Sequence, residues 1–201
     1  VGDFYETFGE DAIKTANILG IVLTKRGTGP NGALELAGFP HHSLNTYLPK
    51  LVRSGQRVAI CDQLEDPKLT KSIVKRGVTD LITPGIAIDD QVLTAKENNF
   101  LAAVYVNDTH AAVAFLDVST GEFSVAEGKT DFIARLIKNF QPKELLFEKN
   151  KYHSITDWLG NQFYTYGIDE WAWNLDYAKE TIEQFFKIKS LKGFGLEDKK
   201  S

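Results

Sequence analysis

The chain has 201 residues, 43% hydrophobic and 25% charged, with 23 Lys and Arg against 27 Asp and Glu and a net charge of −4. That composition excludes a disordered tail and a collagen-like chain, and no apolar run approaches the roughly 18 residues of a membrane span. The single cysteine, Cys61, excludes an intrachain disulfide and points to a reducing cytoplasm.

The first half reads as mixed α/β. Gly2–Thr7 alternates as a short strand, and Asp11–Leu19 has helical spacing at Ala12, Ile13, Ala16 and Leu19, with Gly20 as its stop. Ile21–Lys25 is β-branched and apolar, hence a strand; Arg26–Ala33 is turn material; Leu34–Ala37 returns as the second strand of a hairpin. Ser43–Ser54 carries one apolar stripe, interrupted by Pro49, which fits best in the first turn of a shorter helix. Strand patterns follow at Arg57–Leu64 and within Ser72–Ile82. Residues 86–97, with Asp89 and Asp90, read as a connector.

The pattern then changes. Phe100–Val106, Ala111–Val118 and Glu122–Ala126 are strands joined by tight turns, followed by a helix at Asp131–Phe140 with Thr130 as its cap. A strand at Glu144–Phe147, a helix near Ser154–Leu159, a strand at Phe163–Tyr166 and a helix at Leu175–Phe186 complete the chain, the last with Ala178, Ile182, Phe185 and Phe186 on its face. The order βββαβαβα is that of a ribonuclease H-like domain. The fold class is therefore α/β: two small mixed domains, 1–95 and 96–201.

Chemistry is sparse. No phosphate-binding glycine loop, dinucleotide fingerprint or nucleophile elbow occurs, and His41, His42, His110 and His153 lack zinc spacing. A ribonuclease H-like nuclease needs a carboxylate in the middle of its first strand to hold two metals. Phe100–Val106 has none; Asp117 and Glu148 lie elsewhere, and Asp117 reads as a turn-stabilising acid. A metal-dependent nuclease is thus the runner-up reading, and the expectation is no catalytic and no metal-ligating residue. Net charge is +1 over residues 1–86 and −5 over 87–201, so any nucleic-acid contact must be local, or its affinity must come from parts outside this stretch.

One segment stands out, Gly2-Asp3-Phe4-Tyr5-Glu6. On a strand Phe4 and Glu6 share one side and Tyr5 takes the other. By pattern alone these are a core-edge aromatic and a solvated acid. The wording says more. GDFYE with TFGEDA, then LTKRG (23–27), AGFPHH (37–42), YLPKLV (47–52), VAICDQLEDP (58–67) and TPG (83–85) closely resembles, in order, the start of the bacterial MutS family of DNA mismatch-repair proteins. LDVSTGEF (116–123), PKELLF (142–147) and GFG (193–195) extend the resemblance more weakly.

That resemblance implies a mismatch-recognition domain followed by a connector domain. Phe4 would be an aromatic wedge stacking on a mispaired base from the minor groove, and Glu6 would take a hydrogen bond from that base. Lys25 and Arg26 would contact phosphate or sugar, and Leu36 would pack in the widened groove. Pattern alone makes Lys25 and Arg26 a solvated basic pair and Leu36 a core residue. The helix Leu175–Phe186 with Trp171 and Trp173 would form a surface for MutL, unless both tryptophans cover their own core. The partners implied are mismatched duplex DNA and, for the longer family protein, a second MutS subunit and MutL, with no membrane. ATP and Mg²⁺ would belong to that longer protein; no cofactor is expected in this stretch. The absent Met and the opening inside a patterned segment read as a piece cut from such a protein.

Overall fold

The computed structural model describes residues 3–27, 32–65, 74–87 and 98–195. Expected features at Gly2, the tip of the 26–33 turn, Asp66-Pro67 and most of the 86–97 connector lie outside those residues. The chain divides into two units, residues 1–97 and 98–201.

In unit 1, β1 (Phe4–Phe8) lies at one edge of an antiparallel sheet ordered β1-β3-β2, with β2 at Thr24–Arg26 and β3 at Leu34–Pro40. Helix α1 (Gly9–Leu19) sets Ala12 and Ala16 against Ala37 of β3, small residues that let helix and sheet approach closely. Gly20 ends α1 in the left-handed conformation, where a side chain would be strained. Helix α2 (Leu44–Arg53) buries Leu48 and Val52 against Ile60, which lies on β4 (Val58–Gln63). β4 pairs antiparallel with β5 (Arg76–Ile82), and its register shifts between Ile60 and Cys61.

Two local expectations fail here. Ile21–Leu23 is not strand; the strand begins at Thr24, and Val22 and Leu23 are exposed. β-propensity there is overridden because β3 offers partners only to Thr24, Lys25 and Arg26. Pro49 lies mid-helix and buried, not in a first turn. A 3₁₀ turn at His41–Ser43 leads into α2 and extends it upstream, while the buried Leu48, Leu51 and Val52 offset the hydrogen bond that proline removes.

In unit 2 one sheet is ordered β10-β9-β6-β7-β8. β6 (Phe100–Val106), β7 (His110–Asp117) and β8 (Glu122–Lys129) are antiparallel, and β9 (Glu144–Glu148) and β10 (Thr165–Ile168) run parallel to β6. Helix α3 (Thr130–Phe140) and helix α4 (Tyr152–Leu159) bury Ile133, Ile137, Ile155 and Leu159 against Ala102, Val104, Val113, Phe115, Leu145 and Phe147. The βββαβαβα order is as expected. Thr130 is the first helical residue and Lys129 the cap position, so no side-chain cap forms. The opposite sheet face carries Ala103, Ala112 and Ala114, with Trp173, Ala178 and Ile182 lining a depression above it. Helix α5 (Leu175–Phe186) presents Phe185 outward at 78% exposure, contrary to its expected inward place. The tryptophans split: Trp171 is 61% exposed, whereas Trp173 turns toward the sheet.

Asp117, buried at the end of β7, stabilises its turn as expected. It accepts from the backbone N–H of Asn99 (2.9 Å), the N–H of Ser119 (2.9 Å) and the hydroxyl of Ser119 (2.6 Å). Burial pushes its carboxyl upward, but the donors of Ser119, Asn99 and Thr120 outweigh that and hold it below the ordinary carboxylate value. The turn's contribution is therefore complete above that ordinary value and is lost as pH falls through the depressed one. Asp117→Ala should destabilise the chain by about 2–3 kcal/mol at neutral pH. Urea titrations across the acid range should show that gap closing as pH falls.

Candidate nucleic-acid interface

A pleated strand sends alternate side chains to opposite faces, and paired residues of adjacent strands share a face. Phe4 pairs with Pro40, Glu6 with Gly38 and Phe8 with Leu36; across β3, Leu36 pairs with Thr24 and Leu34 with Arg26. One face of the sheet therefore collects Phe4, Glu6, Phe8, Leu34, Leu36, Thr24 and Arg26. The other face, with Tyr5, Ala37 and Phe39, packs into the core.

Phe4 is 47% exposed although its strand is well anchored. The backbone N–H of His41 donates to the Asp3 carbonyl (2.8 Å), bracketing the start of β1 against the end of β3. The ring thus stands on a fixed strand rather than on a loose end.

Glu6 reaches across the sheet. Its partner on β3 is Gly38, where a Cβ would sit 2.7 Å from the Tyr5 carbonyl oxygen and 3.3 Å from the Glu6 Cγ. With no side chain there, Glu6 lies over β3 and its Oε2 meets the Nη1 of Arg26 at 3.3 Å. The Glu6 side chain is 16% exposed and that of Arg26 56%, so the acid is sheltered and the base is at the rim. Beside this pair a depression of about 470 Å³ is lined by Phe4, Glu6, Ile21, Val22, Leu36 and Gly38.

Four of the five expected residues, Phe4, Glu6, Arg26 and Leu36, thus meet on one face, and Leu36 is half-buried there. Lys25 does not join them. It alternates to the opposite face, where its Nζ lies 4.0 Å from Glu35, its cross-strand partner. Sequence reasoning missed Phe8, Leu34 and Gly38. Phe8 continues the alternation of Phe4 and Glu6, a signal that was available; Gly38 and Leu34 depend on the β1–β3–β2 register, which has no local signature.

On the inner face, the Tyr5 hydroxyl donates to Asp62 Oδ1 at 2.5 Å. The other carboxylate oxygen, Oδ2, accepts from the Thr79 hydroxyl at 2.8 Å. The bond to Asp62, burial and the charges of Asp62 and Asp80 push the phenol up from 10.0 to about 12. The same bond, with that from Thr79, holds the Asp62 carboxyl below its ordinary value. The contribution of this contact is complete below the phenol's ordinary value and is lost as pH rises through the raised one; on the acid side it fades as Asp62 protonates.

The matched families close the description. Residues 1–91 match the family model for MutS domain I and residues 99–201 that for MutS domain II. The DNA mismatch repair protein MutS of Flavobacterium johnsoniae is 56% identical over 100% of this chain, which covers 23% of that protein. The same-named protein of Christiangramia forsetii is 57% identical over 98% of the chain, covering 22% of that protein. That of Bacteroides thetaiotaomicron is 56% identical over 100% of the chain, covering 23% of it. The chain thus spans under a quarter of the length of these relatives.

Two consequences can be measured. Gly38→Ala should lower stability by about 1–3 kcal/mol, since its Cβ meets backbone that must move; a melt as stable as the parent's would show the notch is not tight. Tyr5→Phe should cost about 1 kcal/mol at neutral pH. That difference should shrink as pH rises through about 12, as followed by denaturant titration at stepped pH.

Proposed function

The chain belongs to the MutS family, spanning its domains I and II, and on that footing we propose that it is the mismatch-reading part of a DNA mismatch repair protein. Phe4 enters the minor groove at a mispaired or unpaired base and stacks there. Inserting an apolar wedge unstacks a step, costs about a few kcal/mol and bends the duplex. A mispaired site is already poorly stacked, so it yields more cheaply than a matched one. Reading a mismatch is then a test of deformability rather than of base identity.

The observation that carries this reading is the arrangement of Phe4 and Glu6: an exposed ring and a sheltered carboxylate side by side on one sheet face, on an anchored strand. Glu6 is anionic against a polyanion, which is costly unless a displaced base donates to it. It therefore penalises matched DNA more than mismatched DNA. Arg26, at the rim beside Glu6, is suited to a phosphate; Leu36 supplies apolar surface behind the ring. Lys25, on the opposite face, can reach only backbone passing the sheet edge, so it positions rather than specifies.

Unit 2 serves as the connector, its βββαβαβα order fitting a ribonuclease H-like scaffold used without that enzyme's chemistry. β6 bears no carboxylate, the Asp117 oxygens are engaged by Ser119 of its turn and by the backbone N–H of Asn99, and Glu148 is held by Asn150 (2.8 Å) and Lys151 (3.4 Å). These facts favour binding over a two-metal nuclease. The exposed Trp171, Leu175, Tyr177 and Phe185 suit docking of a protein partner, which the family supplies as MutL. In this reading ATP and Mg²⁺ belong to the longer family protein. The sequence lacks a phosphate-binding loop, and among the described residues no three His, Cys, Asp or Glu converge on a metal. Nor is any described helix long and apolar enough to cross a membrane.

The test uses a full-length MutS-family protein carrying these domains. Phe4→Ala should abolish preference for a mismatched over a matched duplex while the melting curve stays unchanged; loss of the fold would make Phe4 a core residue and end the wedge reading. Glu6→Ala should narrow the ratio of the two affinities, chiefly by tightening matched binding. Arg26→Ala should weaken both complexes alike and lower the salt slope of log K by about one. Incubation of the unsubstituted protein with Mg²⁺ and labelled duplex should leave the DNA uncut; metal-dependent cleavage lost on Asp117→Asn would favour the nuclease instead.

A further inference from the structure

A wedge exerts force, and that force falls on β1. Among the described residues this strand lies at the edge of its sheet, paired with β3. Pushing Phe4 between base pairs would tend to lever an edge strand off its sheet, and binding energy would be lost in that movement. A contact on the inner face of β1 would resist it.

Tyr5 is placed to do so. It sits between Phe4 and Glu6 and points the other way. Its ring packs 6.2 Å from that of Phe39, beside Leu44 and Val58. Its hydroxyl leaves this apolar surround where the Asp62 carboxylate waits, 2.5 Å away on β4, a strand of the second sheet. Asp62 is itself fixed by Thr79 of β5. The register shift in β4–β5 places Cys61 opposite Val78 and Ile60 opposite Asp80, so Thr79 is the extra residue of a bulge. Such an irregularity re-aims a side chain, here the hydroxyl that meets Asp62. A phenylalanine at position 5 would fill the same apolar space, so the hydroxyl is not required for packing.

We propose that Tyr5, Asp62 and Thr79 form the positioning chain of the wedge, tying the recognition strand to the second sheet so that Phe4 bears on DNA without β1 yielding. This rests on the wedge reading of Phe4 given above. Tyr5 touches no base in this scheme; it acts through the strand. The chain assigns separate roles to three consecutive residues, with Phe4 inserting, Glu6 discriminating and Tyr5 anchoring.

The experiment is a double-mutant cycle in a full-length MutS-family protein carrying these domains, read as the affinities for one duplex with a single mispair and for its matched counterpart. Tyr5→Phe should weaken mismatch binding about fivefold, the size of one net hydrogen bond, and leave matched binding unchanged. Asp62→Ala should do the same, and the double variant should lose no more than either. Asp62→Asn keeps an acceptor oxygen and should recover most of the loss. A purely structural role would lower both affinities together, without that rescue. An unchanged ratio in Tyr5→Phe, or losses that simply add, while Phe4→Ala still abolishes the preference, would overturn the positioning role and leave the wedge standing. If Phe4→Ala keeps the preference, the wedge reading fails and the positioning role falls with it.

Discussion

The pleat of one five-residue strand organises unit 1. Because side chains of β1 alternate, Phe4, Glu6 and Phe8 must leave on one side and Tyr5 and Thr7 on the other. The inner side is claimed by the core: Tyr5 packs near Phe39, and the Thr7 hydroxyl donates to the Ala37 carbonyl at 3.2 Å. A shift of one residue would bury Phe4 and Glu6 and expose Tyr5, taking the Tyr5 hydroxyl away from Asp62. The outward ring is therefore not a packing accident. It follows from an inner face that has no use for it.

From that constraint the electrostatics follow. Gly38 provides the room for the Glu6 carboxylate and Arg26 the counter-charge, and the acid is kept mostly out of solvent. The same economy appears in unit 2, where Asp117 is buried but its oxygens are taken up by Ser119 of the turn it closes and by the backbone N–H of Asn99. Both acids are held by neighbours.

Much of this was legible in the residues. Strand and helix order, the alternation of GDFYE, the stop at Gly20 and the role of Asp117 all rest on local period and turn chemistry, which sequence displays directly. What escaped rests on tertiary pairing. Ile21–Leu23 has strand composition but no partner strand among the described residues; Pro49 is carried in a helix by the burial of its neighbours; Phe185 has helical spacing yet faces outward. Lys25 and Arg26 look alike in a row, and only the register with β3 sends them to opposite faces. Tyr5 and Asp62 meet across 57 positions of chain, a distance at which no periodicity speaks. Family resemblance pointed to Phe4 and Glu6, whereas geometry alone pointed to the residues that hold them, Gly38 and Tyr5.

The central claim is that the Phe4 ring is in water in the free protein and in the base stack at a mismatch. A fluorine placed on the ring of Phe4 alone, in a full-length protein carrying these domains, reports both states by its resonance and by the shift between light and heavy water. The account predicts a solvent-sensitive signal in free protein that moves and loses that sensitivity with mispaired duplex, but not with matched duplex at equal concentration. A signal insensitive to solvent before DNA is added, or an identical response to both duplexes, would contradict it.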